Sequence, residues 1–162
     1  MLDYLGIFGE LNNNSIRYIV VGGTAVNLHG VPRMTYDVDI LLDLEDQNIR
    51  RFIQLLTSWG FKPKVPVKIE ELADSAKRGD WIKNKSMKAF NLVNTSWAIR
   101  EIDVLIDSPI DFAAADRNKK VFDIRGVQIP VIGIKDLIAM KEHTDRQQDA
   151  ADIRSLKELR DE

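Results

Sequence analysis

The sequence predicts an α/β (α+β) protein: a mixed β-sheet flanked by helices, followed by a C-terminal helical segment. Three observations carry that expectation. Stretches with apolar residues at helical spacing alternate with short apolar runs of strand length. The segment VFDIRGVQIPV has two strand-like halves about Arg125-Gly126, which adds antiparallel pairing. From Ile134 onward the chain reads as helix. With 162 residues, the expectation is a single domain over residues 1–162, with a core over about 1–133 and helices over about 134–162.

The elements follow in order. Leu2, Leu5, Phe8 and Leu11 mark a first helix that ends in Asn12-Asn13-Asn14. Residues 17–21 read as a short buried strand. Gly22-Gly23-Thr24 then turns into a helix over 25–29, closed by Gly30 and Pro32. A second strand covers 35–42. Asp43 and Asp46 are cap candidates for a helix faced by Ile49, Phe52, Ile53, Leu56 and Trp59, with Gly60 just beyond its end. Pro63 and Pro66 bound an irregular stretch, and 69–77 reads as a short helix. Strands are expected at 87–93 and 97–106, the latter stopped by Pro109. A polar break at 141–149 divides the final helices.

Composition narrows the function classes. The net charge of −2 supplies no global field toward nucleic acid or membrane. No apolar run approaches the ~18 residues that span a bilayer, and MLDYLGIFGELNNN lacks a basic leader region. The absence of cysteine removes disulfides, thiolate nucleophiles and zinc-thiolate sites. A cytoplasmic protein without membrane association is expected.

One stretch departs from ordinary core chemistry. In VVGGTAVNLHGVPRMTYDVDILL, an apolar run ends in Asp-Val-Asp. Strand alternation puts Arg33, Thr35, Asp37 and Asp39 on one face and Met34, Tyr36, Val38 and Ile40 on the other. Asp37 and Asp39 then project in parallel, roughly 6–7 Å apart. Acids are disfavoured in strands, and like charges held so close repel. A divalent cation between them reverses that repulsion, and carboxylate oxygens are the ligands Mg²⁺ prefers. The alternative is a solvated strand end. Upstream, Gly22 and Gly23 leave backbone N–H groups unobstructed for an anion, and Thr24 offers a cap or a phosphate-binding hydroxyl. The sequence has neither a P-loop nor a dinucleotide fingerprint. In AIREIDVLID, Asp103 is the third acid, provided its strand neighbours the Asp-Val-Asp strand; Glu101, on the same face, is its alternative.

These residues resemble the signature of the DNA polymerase β-like nucleotidyltransferase superfamily: Gly-Gly-Thr, twelve intervening residues, Asp-Val-Asp-Ile, then an isolated acid in Ile-Asp-Val. The run through His29-Gly30 and Arg33-x-Thr35-x-Asp37-x-Asp39 is similar to small bacterial proteins related to AbiEii-type abortive-infection toxins. So are IPVIGIKDLIAMK and the ending Arg146, Asp149, Asp152. That group commonly has Lys where Gln148 stands here. The resemblance implies the nucleotidyltransferase fold and transfer of an NMP group from an NTP to a hydroxyl acceptor (protein, RNA or small molecule), with release of pyrophosphate. It implies Mg²⁺ (or Mn²⁺) held by Asp37, Asp39 and Asp103, which are also the catalytic residues. Gly22, Gly23, Thr24, Arg33 and Lys141 are the implied nucleotide-binding residues. A toxin–antitoxin partner protein is an implied partner, and nucleic acid enters only as acceptor.

Several residues have a second reading. Lys141 either reaches the triphosphate or pairs with Asp145 at i+4. Arg33 either meets a phosphate or neutralises Asp37. His29, in the last turn of a helix, fits a structural role with partial positive charge favoured by the dipole; His143 reads as solvated. Lys77, Arg78, Lys83, Lys85 and Lys88 form a basic run, either a guide for an acidic acceptor or a solvated loop. The competing functions are a non-catalytic binding module of the same fold, such as an antitoxin-like or regulatory partner, and an RNA-binding accessory domain.

Overall fold

The structure, a computed structural model, describes residues 1–32, 35–144 and 147–161. At its centre, β1 (Tyr18–Val21) lies antiparallel to β2 (Asp37–Leu42). On either side, β5 (Glu101–Leu105) runs parallel to β2 and β7 (Val127–Val131) parallel to β1. Antiparallel additions complete the sheet: β4 (Ala89–Val93) on β5, β3 (Lys62–Pro63) on β4 and β6 (Lys120–Ile124) on β7. The order is β3-β4-β5-β2-β1-β7-β6, the mixed sheet the sequence predicts. Around it stand α1 (Tyr4–Asn13), α2 (Gly22–Leu28), α3 (Asp46–Ser58), α4 (Ser75–Lys85), α5 (Phe112–Asn118), α6 (Ile134–Lys141) and α7 (Gln147–Asp161). No helix among the described residues is long and apolar enough to cross a membrane.

Alternation decides where the core sits. Val38 and Ile40 on β2, and Ile102 and Val104 on β5, are buried, joining Phe52 and Leu56 of α3 and Phe90 and Leu92 of β4 in one apolar cluster. Burying each such side chain contributes about 1.5–3 kcal/mol. The acids occupy the intervening positions and so cannot join that core. Asn48, fully buried on α3, ties β1 to β2: its Oδ1 accepts from Arg17 N at 2.8 Å, and its Nδ2 donates to the carbonyls of Arg17 and Asp43 at 2.9 and 2.8 Å. The β6–β7 hairpin turns at Arg125-Gly126 with φ of 52° and 85°, the two positive values that a tight turn of matching twist requires.

Several boundaries differ from the sequence expectation. Strand β2 starts at Asp37 rather than residue 35; the Thr35 carbonyl accepts from the Tyr4 hydroxyl at 3.1 Å, and the Thr24 and Thr35 hydroxyls donate to the Asp37 carbonyl. The first glycines are not a turn before α2 but its first residues, and Thr24 caps nothing. Glu45, not Asp43 or Asp46, caps α3, with its carboxylate accepting from Gln47 N and Asn48 N. The expected helix over 69–77 is a 3₁₀ turn, Ile69–Ala73, followed after Asp74 by α4. Asp74 caps α4 by accepting from Ala76 N and Lys77 N. The basic run therefore lies largely on a helix, which buries only Trp81 and so shows no apolar periodicity. Strand β5 is shorter than expected, and Trp97 instead stands against Trp59 and Phe61. The short α5, capped by Asp111, has no counterpart in the sequence reading.

Candidate active site

A single register row crosses four strands. Val21 of β1 faces Asp39 of β2, Asp39 faces Asp103 of β5, and Asp103 faces Asn91 of β4. Register partners share a face of the sheet, about 4.8 Å apart per strand. Two residues along, on the same face, Asp37 faces Glu101. Carboxylate oxygens of Asp37, Glu101 and Asp103 lie within 4.8 Å of one another. The adjacency of the two acidic strands, only inferred from sequence, is thus present in the fold. Glu101 does not replace Asp103; it joins it.

The electrostatics of this cluster are unfavourable to it. Burial pushes the Asp103 carboxyl up to about 8; the Asn91 amide, 2.6 Å away, opposes that rise, while the bond to Glu101 and the charges of Asp39 and Glu101 add to it. Asp37 is raised by burial and by the charge of Glu101, against the pull of Lys64. Lys64 Nζ sits 3.1 Å from Glu101, at the exposed margin. The three clustered carboxyls of Asp37, Glu101 and Asp103, with Asp39 beside Asp103 on the row, form an oxygen-rich donor set of the kind that suits a hard divalent cation.

Gly22 follows Val21 at the other end of the row. Its φ of +64° is one that glycine adopts without strain, and a Cβ there would overlap the Asp39 carboxylate. The close approach of backbone to acid is therefore a direct consequence of the residue type. Gly23 and Thr24 follow, both buried, and the Thr24 hydroxyl donates to the Asp37 carbonyl at 3.1 Å. Thr24 thereby anchors the backbone that carries the first acid. Lys141, on α6, is buried rather than exposed. Its ammonium lies 3.0 Å from Asp149 and 3.1 Å from Asp152, both on α7, and Gln148 donates to Asp152 at 3.0 Å. Gly22, Asp39 and Lys141 line one cavity of about 170 Å³, together with Leu137, Met140 and Asp149. The fold thus brings Gly22, Asp37, Asp39, Asp103 and Lys141 to one region. Arg33, Asp145 and Arg146 lie outside the described residues.

His29 stands apart from this region. Its Nε2–H donates to the Ile132 carbonyl at 2.7 Å, and burial lowers its pKa, so it is a neutral tie between α2 and the end of β7 rather than a dipole-stabilised cation. Two features of the site escaped the sequence reading. Asn91 lies within the apolar run AFNLV, where a lone amide is itself a signal. The partnership of Lys141 with Asp149 and Asp152 depends on how α6 and α7 meet.

A mixed sheet with acids on β2 and β5, beside a glycine pair that follows β1, defines a nucleotidyltransferase. The chain belongs to the family described as nucleotidyltransferase of unknown function (DUF6036), which matches residues 7–161. Comparison with curated proteins gave no significant match. Among solved structures, the chain is similar to the lincosamide antibiotic adenylyltransferase LnuA, bound to lincomycin. The TM-score is 0.62 at 19% identity, covering 94% of this chain and 93% of that one. An antigenic nucleotidyltransferase-like protein from Paracoccidioides brasiliensis gives 0.58 at 16% identity, over 96% and 72% of the two chains. TM1012 from Thermotoga maritima gives 0.53 at 14%, over 96% and 86%. These likenesses concern the fold.

Proposed function

We propose that this nucleotidyltransferase depends on Mg²⁺ (or Mn²⁺) and moves an NMP group from an NTP to a hydroxyl acceptor. The observation that carries the reading is the acid cluster beside the Gly22–Lys141 cavity. Asp37, Asp39 and Asp103 would hold the cation, with Glu101 beside them. When bound, it neutralises triphosphate charge and lowers the pKa of the attacking hydroxyl. The cavity is too small for a whole nucleotide but of a size for phosphates, which approach the backbone where Gly22 lacks a side chain. Thr24 fixes the start of β2, and with it the position of Asp37. Lys141 presents its positive charge to the phosphates while Asp149 and Asp152 hold it in place. In the reaction, the acceptor oxygen bonds to the α-phosphorus and the α–β bridging P–O bond breaks. Pyrophosphate leaves with that electron pair, and the hydroxyl proton passes to water. The protein's part is positioning and charge stabilisation rather than covalent chemistry.

The reading extends to residues 1–162 acting as one catalytic domain in the cytoplasm, where NTPs are made. Kinship with AbiEii-type toxins, and hence an antitoxin-like partner, is supported by the sequence signature alone. The test is transfer of label from α-labelled NTPs, each with Mg²⁺ or Mn²⁺, to components of a cell extract. Wild type is expected to label an acceptor and Asp39→Asn to leave it unlabelled. Equal labelling by both proteins would remove the acid row from the chemistry.

A further inference from the structure

The register row has two ends, and a second, larger cavity lies at the one opposite Gly22. It measures about 460 Å³ and is lined by Val65, Val67, Trp81, Lys85, Met87 and Asn91. Asn91 belongs to both places: it is a wall of this cavity and it donates to Asp103 at 2.6 Å. The acids thus stand between a small cavity that contains Lys141 and Asp149 and a roomier, more apolar one that contains Trp81. We propose that the acceptor is a small molecule with an apolar body, seated in the Trp81 cavity with its hydroxyl directed along the row toward Asp103. This inference rests on the nucleotidyl-transfer reading and adds to it the class of acceptor.

Three observations favour a small molecule over a polymer. First, the volume falls in the range of small-molecule sites, and the walls are an indole, a thioether and two valines with few polar groups. Second, the mouth of the cavity carries an apolar side chain in the open: Val65 is 39% exposed, and a ligand's apolar body seated there would cover it. Third, three members of the basic run, read from the sequence as a guide for an acidic acceptor or a solvated loop, already have partners in the protein. Lys77 pairs with Glu71 at 2.5 Å and Lys88 with Asp107 at 3.1 Å, while Arg78 donates to the Leu72 carbonyl at 2.6 Å. Lys85, exposed at the rim, suits an anionic or strongly polar substituent projecting from the apolar body. Trp81 is held face-on against Phe90, with ring centroids 5.3 Å apart, so the indole wall is rigid rather than adaptable.

The experiment uses the whole protein in two arms. In the first, α-labelled NTP and Mg²⁺ are supplied with the low-molecular-weight fraction of a cell extract, with its RNA, or with its protein. Label should appear in the low-molecular-weight fraction and fall at least tenfold in Val65→Glu, which places a carboxylate on the rim at an exposed position. Met87→Glu should act likewise, and an unchanged melting temperature in Val65→Glu excludes a folding defect. Label on RNA or protein, or small-molecule labelling indifferent to both substitutions, overturns the inference while leaving nucleotidyl transfer intact. The second arm omits nucleotide and measures binding of 2-(1-naphthyl)ethanol, an aryl alcohol, by equilibrium dialysis. Saturable binding that weakens at least tenfold in Val65→Glu supports the cavity as a ligand site. If this holds while no fraction is labelled, the transfer reading is the one that fails. Absence of saturable binding overturns the cavity assignment.

Discussion

Asp39 and Asp103 are direct cross-strand partners, brought side by side by the parallel pairing of β2 with β5. Like charges directly opposite one another destabilise a sheet, and here two further acids stand beside them. A fold selected for stability alone would not keep this arrangement. In the proposed reading a divalent cation supplies the positive partner, and this decides what each neighbouring residue is expected to do.

Gly22 is expected to be indispensable for nucleotide binding. Gly22→Ala puts a methyl group into the space occupied by the Asp39 carboxylate, at a φ of +64° that alanine adopts only with strain. The carboxylate must swing away or the backbone must move. We predict that Gly22→Ala folds, with a lower melting temperature, and binds Mg-NTP at least tenfold more weakly by calorimetry. Normal affinity in a folded variant would show that the glycine serves only the start of α2.

Lys141 is expected to be as much a structural residue as a phosphate contact. Removing one member of a buried ion pair leaves charges uncompensated, at a cost of about 3–5 kcal/mol. Lys141→Met takes away the ammonium shared by Asp149 and Asp152, both nearly inaccessible, and should lower the urea midpoint. The triple change Lys141→Met, Asp149→Asn, Asp152→Asn removes both carboxylates along with the ammonium and should recover part of that loss. A Lys141→Met protein as stable as wild type would contradict the buried triad.

The state of His29 gives a pH dependence. Burial holds its folded-state pKa below the unfolded value of about 6.5. Below that value the unfolded chain takes up a proton more readily than the folded one, so stability is lost as pH falls through about 6.5 and is fully present above it. His29→Gln removes the titrating group. Between about pH 7.5 and 5.5, the urea midpoint of wild type should therefore fall more steeply than that of the variant. Parallel profiles would mean that His29 titrates alike in both states.

Much of this was legible in the sequence, for identifiable reasons. Val38, Ile40, Ile102 and Val104 alternate with acids, so strand type, face and the oddity of Asp37, Asp39 and Asp103 could all be read locally. The hairpin declared itself through Arg125-Gly126. What could not be read depends on partners distant in sequence. Asn48 looked like an ordinary helix residue, yet it joins two strands through three hydrogen bonds. Lys141 had a local partner in view at i+4, whereas its ion pairs reach α7. Helix α4 was hidden because a helix that buries one side chain lacks the periodicity by which helices are recognised. Asn91 acquired meaning only when β4 fell into register beside Asp103.

The sharpest division of labour is expected between Asp103 and Glu101. Both sit on β5, on one face, with carboxylate oxygens in the same cluster, so position alone does not rank them. Their surroundings do. Glu101 lies at the margin, where Lys64 already balances its charge at 3.1 Å. Asp103 is buried, is fixed by Asn91, and lies on the row between the two cavities, where the proposed reading puts the attacking hydroxyl. Charge develops on that oxygen only as the P–O bond forms, so a group serving it acts on the transition state more than on the bound ground state. Asp103→Asn keeps the shape and the means to hydrogen-bond while removing the charge. We predict near-normal Mg-NTP affinity in that variant, with a transfer rate lowered on the order of a hundredfold or more, as when one preorganised electrostatic group is lost. Glu101→Gln should cost less than tenfold in rate, and Lys64→Met less again. Titration calorimetry with Mg-NTP and transfer of label to the low-molecular-weight fraction would measure the two quantities separately. Should Glu101→Gln abolish transfer while Asp103→Asn retains it, the acid beside the acceptor is Glu101, and the row that runs from Asn91 to Gly22 is not the line along which the reaction proceeds.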